Sequence, residues 1–553
     1  MPARRVTKSD VKASAVVAAE KHHEQLDERQ LWRPSLETAL SLLILPRAAS
    51  ALLSPIADCD ETFNYWEPLH YLLYRFGFQT WEYSPVYALR SYFYLLLHYI
   101  VVKLTAFGST LGLLADQKLL LFYGLRAALG LLSAYAEALF YHSTSRRFGC
   151  RTARYLLCAL LFNAGIFHAS TAFLPSTFTM VLVMLFSIET LYTRGLLKSI
   201  LAGVSIGGAV LAVELLVNFH YYQRWVLPAW NIVVYNVLSN ETDSTLYGTE
   251  PLSYYLLNLA LNINIVALLA IPAALFVYAL PGHYETTKMQ LLAYLSPMYV
   301  WVGIMFTQAH KEERFLSPVY PLFCLAAAVT LSAVVYRIKR FFSHAPAVGS
   351  GLTKMLVVGT LGVYALLSVS RIVSNVVNFS APLRVYQHLY TTILPNPESG
   401  MLLTAPNAAT PIVTLCLLKE WYRFPTSFFI PSNSTKVEFV KSSFSGLLPK
   451  AFEQHENGTS IIPSAMNNQN REEPSRYVPL ETCDYVVDLN LPGQQELKFW
   501  EEPEIWELVH SEPFLDAERS KSPYRSFYLP ILTPQYVKYA DYAIYKRKMT
   551  IAH

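Results

Sequence analysis

Apolar residues along this chain gather in runs long enough to cross a membrane. They fall at 35–54, 117–141, 152–172, 174–193, 197–218, 252–280, 290–309, 315–336 and 353–372. Each is close to the ~20 residues an α-helix needs to span the hydrocarbon. Pro46, Pro272 and Pro297 interrupt three of them, which a bundle tolerates when neighbouring helices satisfy the freed carbonyls. A further run, 88–107, is rich in Tyr and carries Arg90, His98 and Lys103. Its charges suit an amphipathic helix at the membrane surface, with a span as the alternative. The pattern predicts a polytopic α-helical membrane protein with about nine spans. No internal repeat is evident, which disfavours a repeat-built transporter.

The polar stretches divide the chain. Residues 1–34 carry Arg4, Arg5, Lys8 and Lys12 and lack the apolar core of a cleavable signal, so they read as a disordered cytosolic tail. Residues 35–372 form the membrane module, with a first loop at 55–116. Residues 373–553 are polar, with strand-like runs such as Asp484–Leu489, and suffice for one mixed α/β domain.

Orientation follows from charge. With a cytosolic N-terminus, Arg146, Arg147, Arg151 and Arg154, then Arg194 and Lys198, then Arg337, Lys339, Arg340 and Lys354 fall on the cytosolic side. The opposite loops hold Asp60, Glu61, Glu67, Glu82, Glu241, Asp243 and Glu250, the asymmetry that the positive-inside rule requires. Asn240, Asn433 and Asn457 are N-glycosylation candidates on the lumenal side; Asn378 is a poor one because it adjoins the last span. The same count places Asp60–Glu61 and His310–Arg314 on one side.

Composition agrees. The chain is 53% hydrophobic and 15% charged, against about 25% charged in soluble domains. A net charge of +4 is small, and no basic helix or stacking motif supports nucleic acid as a partner. Six cysteines without CxxC spacing argue against a zinc site. Cys416 and Cys483 share the C-terminal domain, where they are either bridged or two buried free thiols.

The candidate chemistry lies at the first lumenal loop, in Asp58-Cys59-Asp60-Glu61-Thr62-Phe63-Asn64-Tyr65-Trp66-Glu67-Pro68-Leu69-His70. Ionisable groups near membrane depth are expensive and usually functional. Tyr65, Trp66, Glu67 and His70 set rings beside polar groups, a surface suited to a sugar. A second cluster, His310, Lys311 and Arg314, sits where one apolar run ends and the next begins. Arg314 can hold phosphate oxygens by a bidentate fork; the plainer reading is a basic turn paired with Glu312 and Glu313. Arg47 and Arg126 lie inside predicted spans and must face partners, not lipid. Arg47 suits either a phosphate or a carboxylate. His168, His220 and Glu214 read as bundle or interface polar groups.

The run Asp58–Pro68, with Gly77-Phe78-Gln79-Thr80-Trp81-Glu82-Tyr83-Ser84-Pro85, resembles the first lumenal loop of one glycosyltransferase group. These are the dolichyl-phosphate-mannose-dependent α-1,2-mannosyltransferases of N-glycan precursor assembly, in glycosyltransferase family 22. His310-Lys311-Glu312-Glu313-Arg314-Phe315 matches that family's second signature. Tyr247–Pro251, Lys419–Pro425 and Glu473–Tyr477 extend the resemblance, which runs from about Leu40 to the C-terminus.

The resemblance implies a GT-C fold in the endoplasmic reticulum membrane, a lumenal active site, and transfer with inversion. The donor implied is dolichyl-phosphate mannose, and the acceptor a dolichyl-diphosphate-linked oligosaccharide. It implies neither cofactor nor metal, since the departing phosphate is single and cationic side chains are available; it names no protein partner. Other readings are a glycosylphosphatidylinositol-precursor mannosyltransferase and a sugar-lipid translocator without chemistry.

Adjacent residues of a helix point about 100° apart, so Asp60 and Glu61 cannot straddle one bond as a retaining pair. Asp60 is expected to be the base, with Glu61 holding acceptor hydroxyls or orienting it. His310, Lys311 and Arg314 are expected to bind the donor phosphate. One departure stands out. Between Gly203 and Trp230 the chain joins directly two segments that the family pattern separates by an apolar stretch, a basic turn and a further span. That shortening is expected to expose helix faces lined by small residues, to leave Glu214 without an obvious partner, and to lower stability and activity.

Overall fold

The first helix starts at a local signal: Ser35 Oγ accepts the Thr38 amide N–H, and α1 runs over Leu36–Leu53, an N-cap of the usual kind. The computed structural model describes residues 32–110, 118–238, 244–280, 287–394, 413–431 and 435–548. The expected tail, and with it Asn240 and Asn433, lies almost wholly outside them. After α1 come α2 (Tyr92–Thr110), α3 (Lys118–Arg147), α4 (Cys150–Phe162) and α5 (Pro175–Tyr222). Then follow α6 (Leu252–Asn262), α7 (Asn264–Ala270), α8 (Lys288–Thr307), α9 (Tyr320–Phe341), α10 (Pro346–Phe379) and α11 (Ala381–His388).

Among the described residues six helices are long and apolar enough to cross a membrane, or seven if α6 and α7, bent by 116°, count as one span. The nine expected runs exceed this because some are broken. The run 152–172 stops at Asn163, whose side chain accepts the Ile166 amide and starts a new short helix. The run 88–107 becomes α2, shorter than a full span in its described apolar part.

Helix α5 joins two expected runs. Its 48 residues would extend about 70 Å if straight. Yet Phe178 packs on Tyr94 and His98, while Asn218 Oδ1 accepts the Tyr92 amide N–H at 2.9 Å. Both halves thus reach the same turns of α2, so the helical stretch doubles back, as two separate apolar runs imply. Its second pass is mostly open: a Cβ added at Gly203, Gly207 or Gly208 would meet nothing within 4 Å. Glu214, on the same pass, has its own side chain buried.

Charges inside the bundle are matched. Arg47 forks onto Glu137 with two contacts of 2.7 Å and also donates to Leu160 O, so its partner is a carboxylate rather than a phosphate. Arg126 donates to Ser50 O and Ser54 O and closes the end of α1. His168 is hydrogen-bonded to Ser54 and Asn375.

The last long helix runs on to Phe379 and leads through α11 into the C-terminal region. There β1 (Val413–Leu417), β2 (Thr435–Phe439), β3 (Tyr485–Leu489), β4 (Trp506–Leu515) and β5 (Tyr539–Arg547) form a sheet in the order β2-β1-β3-β5-β4. The first three are parallel, and β5 is antiparallel to both its neighbours. Cys416 on β1 is bridged to Cys483 just before β3. One face of the sheet, with Leu415, Leu417, Val487, Leu489, Tyr542 and Ile544, shares a core with Phe63 and Trp66 of the first loop. Phe78–Gln79 also pairs antiparallel with Lys450–Ala451. The first loop is therefore packed between membrane helices and the C-terminal domain.

Asn457 is exposed, whereas Asn378 is fully buried, donating to Ser374 and Arg525 O and accepting from Tyr539. Protein made in cells should carry an endoglycosidase-sensitive mobility shift that Asn457→Gln reduces. Glycan on Asn378, or on an acceptor site engineered into 143–150, would contradict this placement.

Candidate active site

The first loop is a chain of short helical turns. Asp58 accepts the Asp60 amide at 2.9 Å and starts the turn Cys59–Glu61. A π-helical turn, Thr62–Trp66, passes into the helix Glu67–Tyr74, the kind of irregularity that often marks functional sites. Arg75, in the left-handed region at φ 64, ends that helix. Gly77 follows at φ 150, where an added Cβ would lie 2.6 Å from Glu67 O, so this close return of the chain needs glycine.

Asp60 faces a cavity of about 610 Å³. Its Oδ2 accepts from Arg314 Nη2 at 2.6 Å and lies 3.4 Å from Arg90 Nη2. Arg314 is also bonded to Asp58 at 2.9 Å and to Glu312. Contact between Asp60 and Arg314 places both signatures on one side of the membrane, as the charge count requires. The Asp60 side chain keeps 29% of its exposure, enough for a ligand to reach it. Burial raises its pKa, but Arg314 and Arg90 outweigh that, and the net result is a carboxyl held below its usual range. Asp58 moves the other way: burial, only partly opposed by Arg314, pushes it up to about 7.

Sequence reasoning passed over three of the residues that build this cavity. Arg90 donates to both Glu82 oxygens at 2.8 and 2.9 Å and to Tyr65 Oη at 2.8 Å. Glu82 also accepts from Asn64 at 2.6 Å, and Thr80 donates to Asn64. Glu82 and Arg90 stand eight residues apart in one loop, a charge pairing visible in the sequence; Arg90 was instead read as the polar edge of a surface helix. Asp58, within the acidic run itself, carried no separate expectation.

Not every expected residue lines the cavity. Tyr65, His310 and Arg314 do. Glu61 turns inward and accepts from Trp66 Nε1 at 3.0 Å and the Phe173 amide at 2.9 Å; it does not line the cavity. Trp66 is fully buried against Phe122, Phe173 and Phe428, so it is core rather than a sugar platform. Glu67, also fully buried, accepts from Thr426 Oγ1, from the Ser427 amide and hydroxyl, and from the Phe78 amide. His70 is buried and bonded to Phe76 O. Lys311 donates to Glu250 O and Gln308 O, so backbone carbonyls hold the charge expected for phosphate. His310 bridges Gly248 O and Glu312, and the Glu312 bond raises its pKa.

The Asp58 and Asp60 carboxylates and the Cys59 thiol offer ligand atoms within 4.8 Å of one another. Arg314 bonds to both carboxylates there and supplies the positive charge a cation would bring. What the cavity presents is an ionised carboxylate beside two guanidinium groups, in a site walled by Tyr65 and Trp421. That set can accept a proton from a hydroxyl and receive an anionic leaving group.

The model of the Alg9-like mannosyltransferase family matches residues 38–199 and 187–431, together well over half of the chain. The chain belongs to that family. The two matched segments overlap at 187–199, within α5. Human alpha-1,2-mannosyltransferase ALG9 is 39% identical over 569 residues, covering 94% of this chain and 90% of the human protein. GPI mannosyltransferase 3 of Candida albicans is 25% identical over 51% of this chain and 61% of its own length. A crystal structure of ArnT from Cupriavidus metallidurans bound to undecaprenyl phosphate superposes with a TM-score of 0.45 and 13% identity, covering 86% of this chain and 96% of that one. As a member of the Alg9-like family, the protein is a membrane mannosyltransferase.

Glu67 gives the clearest structural test in this loop. Glu67→Ala would leave buried donors on Phe78 and Ser427 unpaired, at about 1–3 kcal/mol for each unsatisfied group. A lowered thermal midpoint of the detergent-purified protein is expected, larger than for removal of the exposed Glu456 side chain. An unchanged midpoint would mean that this tie does not hold the loop.

Proposed function

We propose that this mannosyltransferase moves mannose from dolichyl-phosphate mannose to the 2-hydroxyl of a mannose on a dolichyl-diphosphate-linked oligosaccharide. The reaction takes place on the lumenal side of the endoplasmic reticulum membrane and serves protein N-glycosylation. The observation that carries this reading is the Asp60 carboxylate, open to the cavity and bonded to Arg314, in a chain so similar to alpha-1,2-mannosyltransferases.

In this reading Asp60 takes the proton of the acceptor hydroxyl as that oxygen attacks the sugar carbon. The bond from the sugar carbon to phosphate breaks on the opposite face, and the configuration inverts. Arg314 and Arg90 hold the departing dolichyl phosphate, with His310 beside them. Before the donor enters, both guanidinium groups are engaged by carboxylates, which keeps Asp60 ionised but weakly basic. A phosphate that draws Arg314 toward itself removes part of that stabilisation, so Asp60 gains proton affinity as the donor binds. Base strength is thereby tied to donor occupancy.

Asp60→Asn keeps the hydrogen-bonding shape and removes the proton acceptor. Its kcat with labelled dolichyl-phosphate mannose and a defined acceptor should fall by roughly 10²–10⁴-fold. Intact turnover would favour a translocator that performs no chemistry. Transfer to a glycosylphosphatidylinositol precursor, but not to the dolichyl-linked oligosaccharide, would replace the acceptor assigned above.

Asp58 supplies a pH test. Above a pH of about 7 its carboxylate is charged and competes with phosphate for Arg314; below it, protonation loosens that hold. The donor KM should therefore rise as pH increases through about 7, and Asp58→Asn should flatten the rise. A wild-type KM that stays constant across that range would show that Asp58 does not govern access to Arg314.

A further inference from the structure

A second cleft, of about 560 Å³, opens on the C-terminal domain. It shares no lining residue with the Asp60 cavity. Successive residues of a strand face opposite sides of a sheet. Here Val487, Tyr542 and Ile544 point to the core that holds Trp66, while Val486, Ala543 and Tyr545 point to a separate core with Phe499 and Trp506. The cleft is on this second face, away from the catalytic loop.

Its lining is aromatic and rich in acceptors. Trp500, Trp506 and Tyr545 form the apolar part, and Asn490, Glu501 and Asp541 the polar part. Trp506 and Tyr545 are buried and belong to the wall, whereas Trp500 is half-buried and Glu501 and Asp541 are exposed. Asn490 donates to Tyr545 Oη at 2.7 Å, but its buried Oδ1 finds no partner among the described residues. A buried acceptor without a donor calls for a reason. Among the described residues no Lys, Arg or His lines the cleft itself, and Lys498 beside it is paired with Glu501 at 3.0 Å, so phosphates and other anions are poorly matched.

We infer that this cleft binds a neutral mannose oligosaccharide, as a second carbohydrate site outside the catalytic cavity. A hexose fits the lining on two counts. Its C–H face can lie on Trp500, an amphipathic ring suited to a ligand that is apolar on one side and wet on the other. Its hydroxyl groups donate to Asn490 Oδ1, Glu501 and Asp541. A proline-rich peptide would also find aromatic walls, but proline has no backbone N–H and such a segment brings mostly acceptors to a site already full of them. The volume falls within the usual range for small-molecule pockets.

The role of the site rests on the reading that the acceptor is an oligosaccharide on the same side of the membrane. Holding part of a branched acceptor here raises its effective concentration at the catalytic cavity. Occupancy should therefore lower the acceptor KM and leave kcat alone.

Hydrogen exchange on the full-length detergent-purified protein, with lipid-free mannose oligosaccharide as the probe, tests this site by location. Exchange should slow in peptides covering 490–508, and Trp500→Ala should abolish that slowing. Loss of one aromatic contact corresponds to roughly a fivefold loss of affinity. The acceptor KM should rise by about that factor, with kcat and the KM for a single-mannose acceptor unchanged. If Trp500→Ala lowers the thermal midpoint, Asp541→Ala and Glu501→Ala, both at exposed positions, take its place.

Slowing confined to 58–90 would overturn the second site and leave the proposed function standing. Slowing in neither region would count against both. Slowing at 490–508 by a proline-rich peptide but not by the sugar would make the cleft a protein-docking site and overturn the inference.

Discussion

Four carboxylates of the first loop are taken largely out of water, and each must be met by donors. That constraint organises the structure. Glu61 is met by Trp66 and the Phe173 amide, Glu67 by Thr426, Ser427 and Phe78, Glu82 by Arg90 and Asn64, and Asp60 by Arg314 and Arg90. The partners come from the membrane bundle, from the C-terminal domain and from the loop itself. A buried charge left unpaired costs several kcal/mol, so the loop acquires its shape only when those distant elements are in place. Its acids work as fasteners first, and two of them, Asp60 and Glu82, also line the cavity.

The same rule separates the bundle interior from the site. Arg47 and Glu137 form a two-point ion pair inside the membrane module, and Arg126 closes the end of α1. Neither faces the cavity. Around Asp60, by contrast, two arginines are shared among four carboxylates. A shared guanidinium can be redirected by an incoming anion without breaking the fold, whereas one locked onto a single buried carboxylate cannot. The difference in partner count is what makes one arginine structural and another available to a ligand.

Packing of the first loop between bundle and sheet also commits most of its aromatic residues to structure. Phe63 and Trp66 share a core with Phe424, Phe428 and Leu417, and Phe78 pairs with Ala451. Residues that look like a sugar-binding surface in one dimension are committed to this core in three. The cavity walls come instead from Tyr65 and from Trp421 of the C-terminal domain.

Much of the protein was already determined one-dimensionally. Hydrophobic runs of membrane length, the basic asymmetry of alternate loops and the change of composition near 373 define a helical membrane module followed by a mixed α/β domain. They also place Asp60 and Arg314 on one face. These are properties of local composition and spacing, because a span needs only length and apolarity. Which acids point inward was not legible: the choice between Asp60 and Glu61 depends on the turn between them and on whether Arg314 or Phe173 stands opposite. Glu67, Trp66, His70 and Lys311 were misread for the same reason, since burial is a relation between distant segments. Arg90 and the Cys416–Cys483 bridge likewise depend on which residues the fold brings within a few ångströms. Electrostatic and hydrogen-bond partners are set by distance in space, and only the tertiary structure supplies that distance.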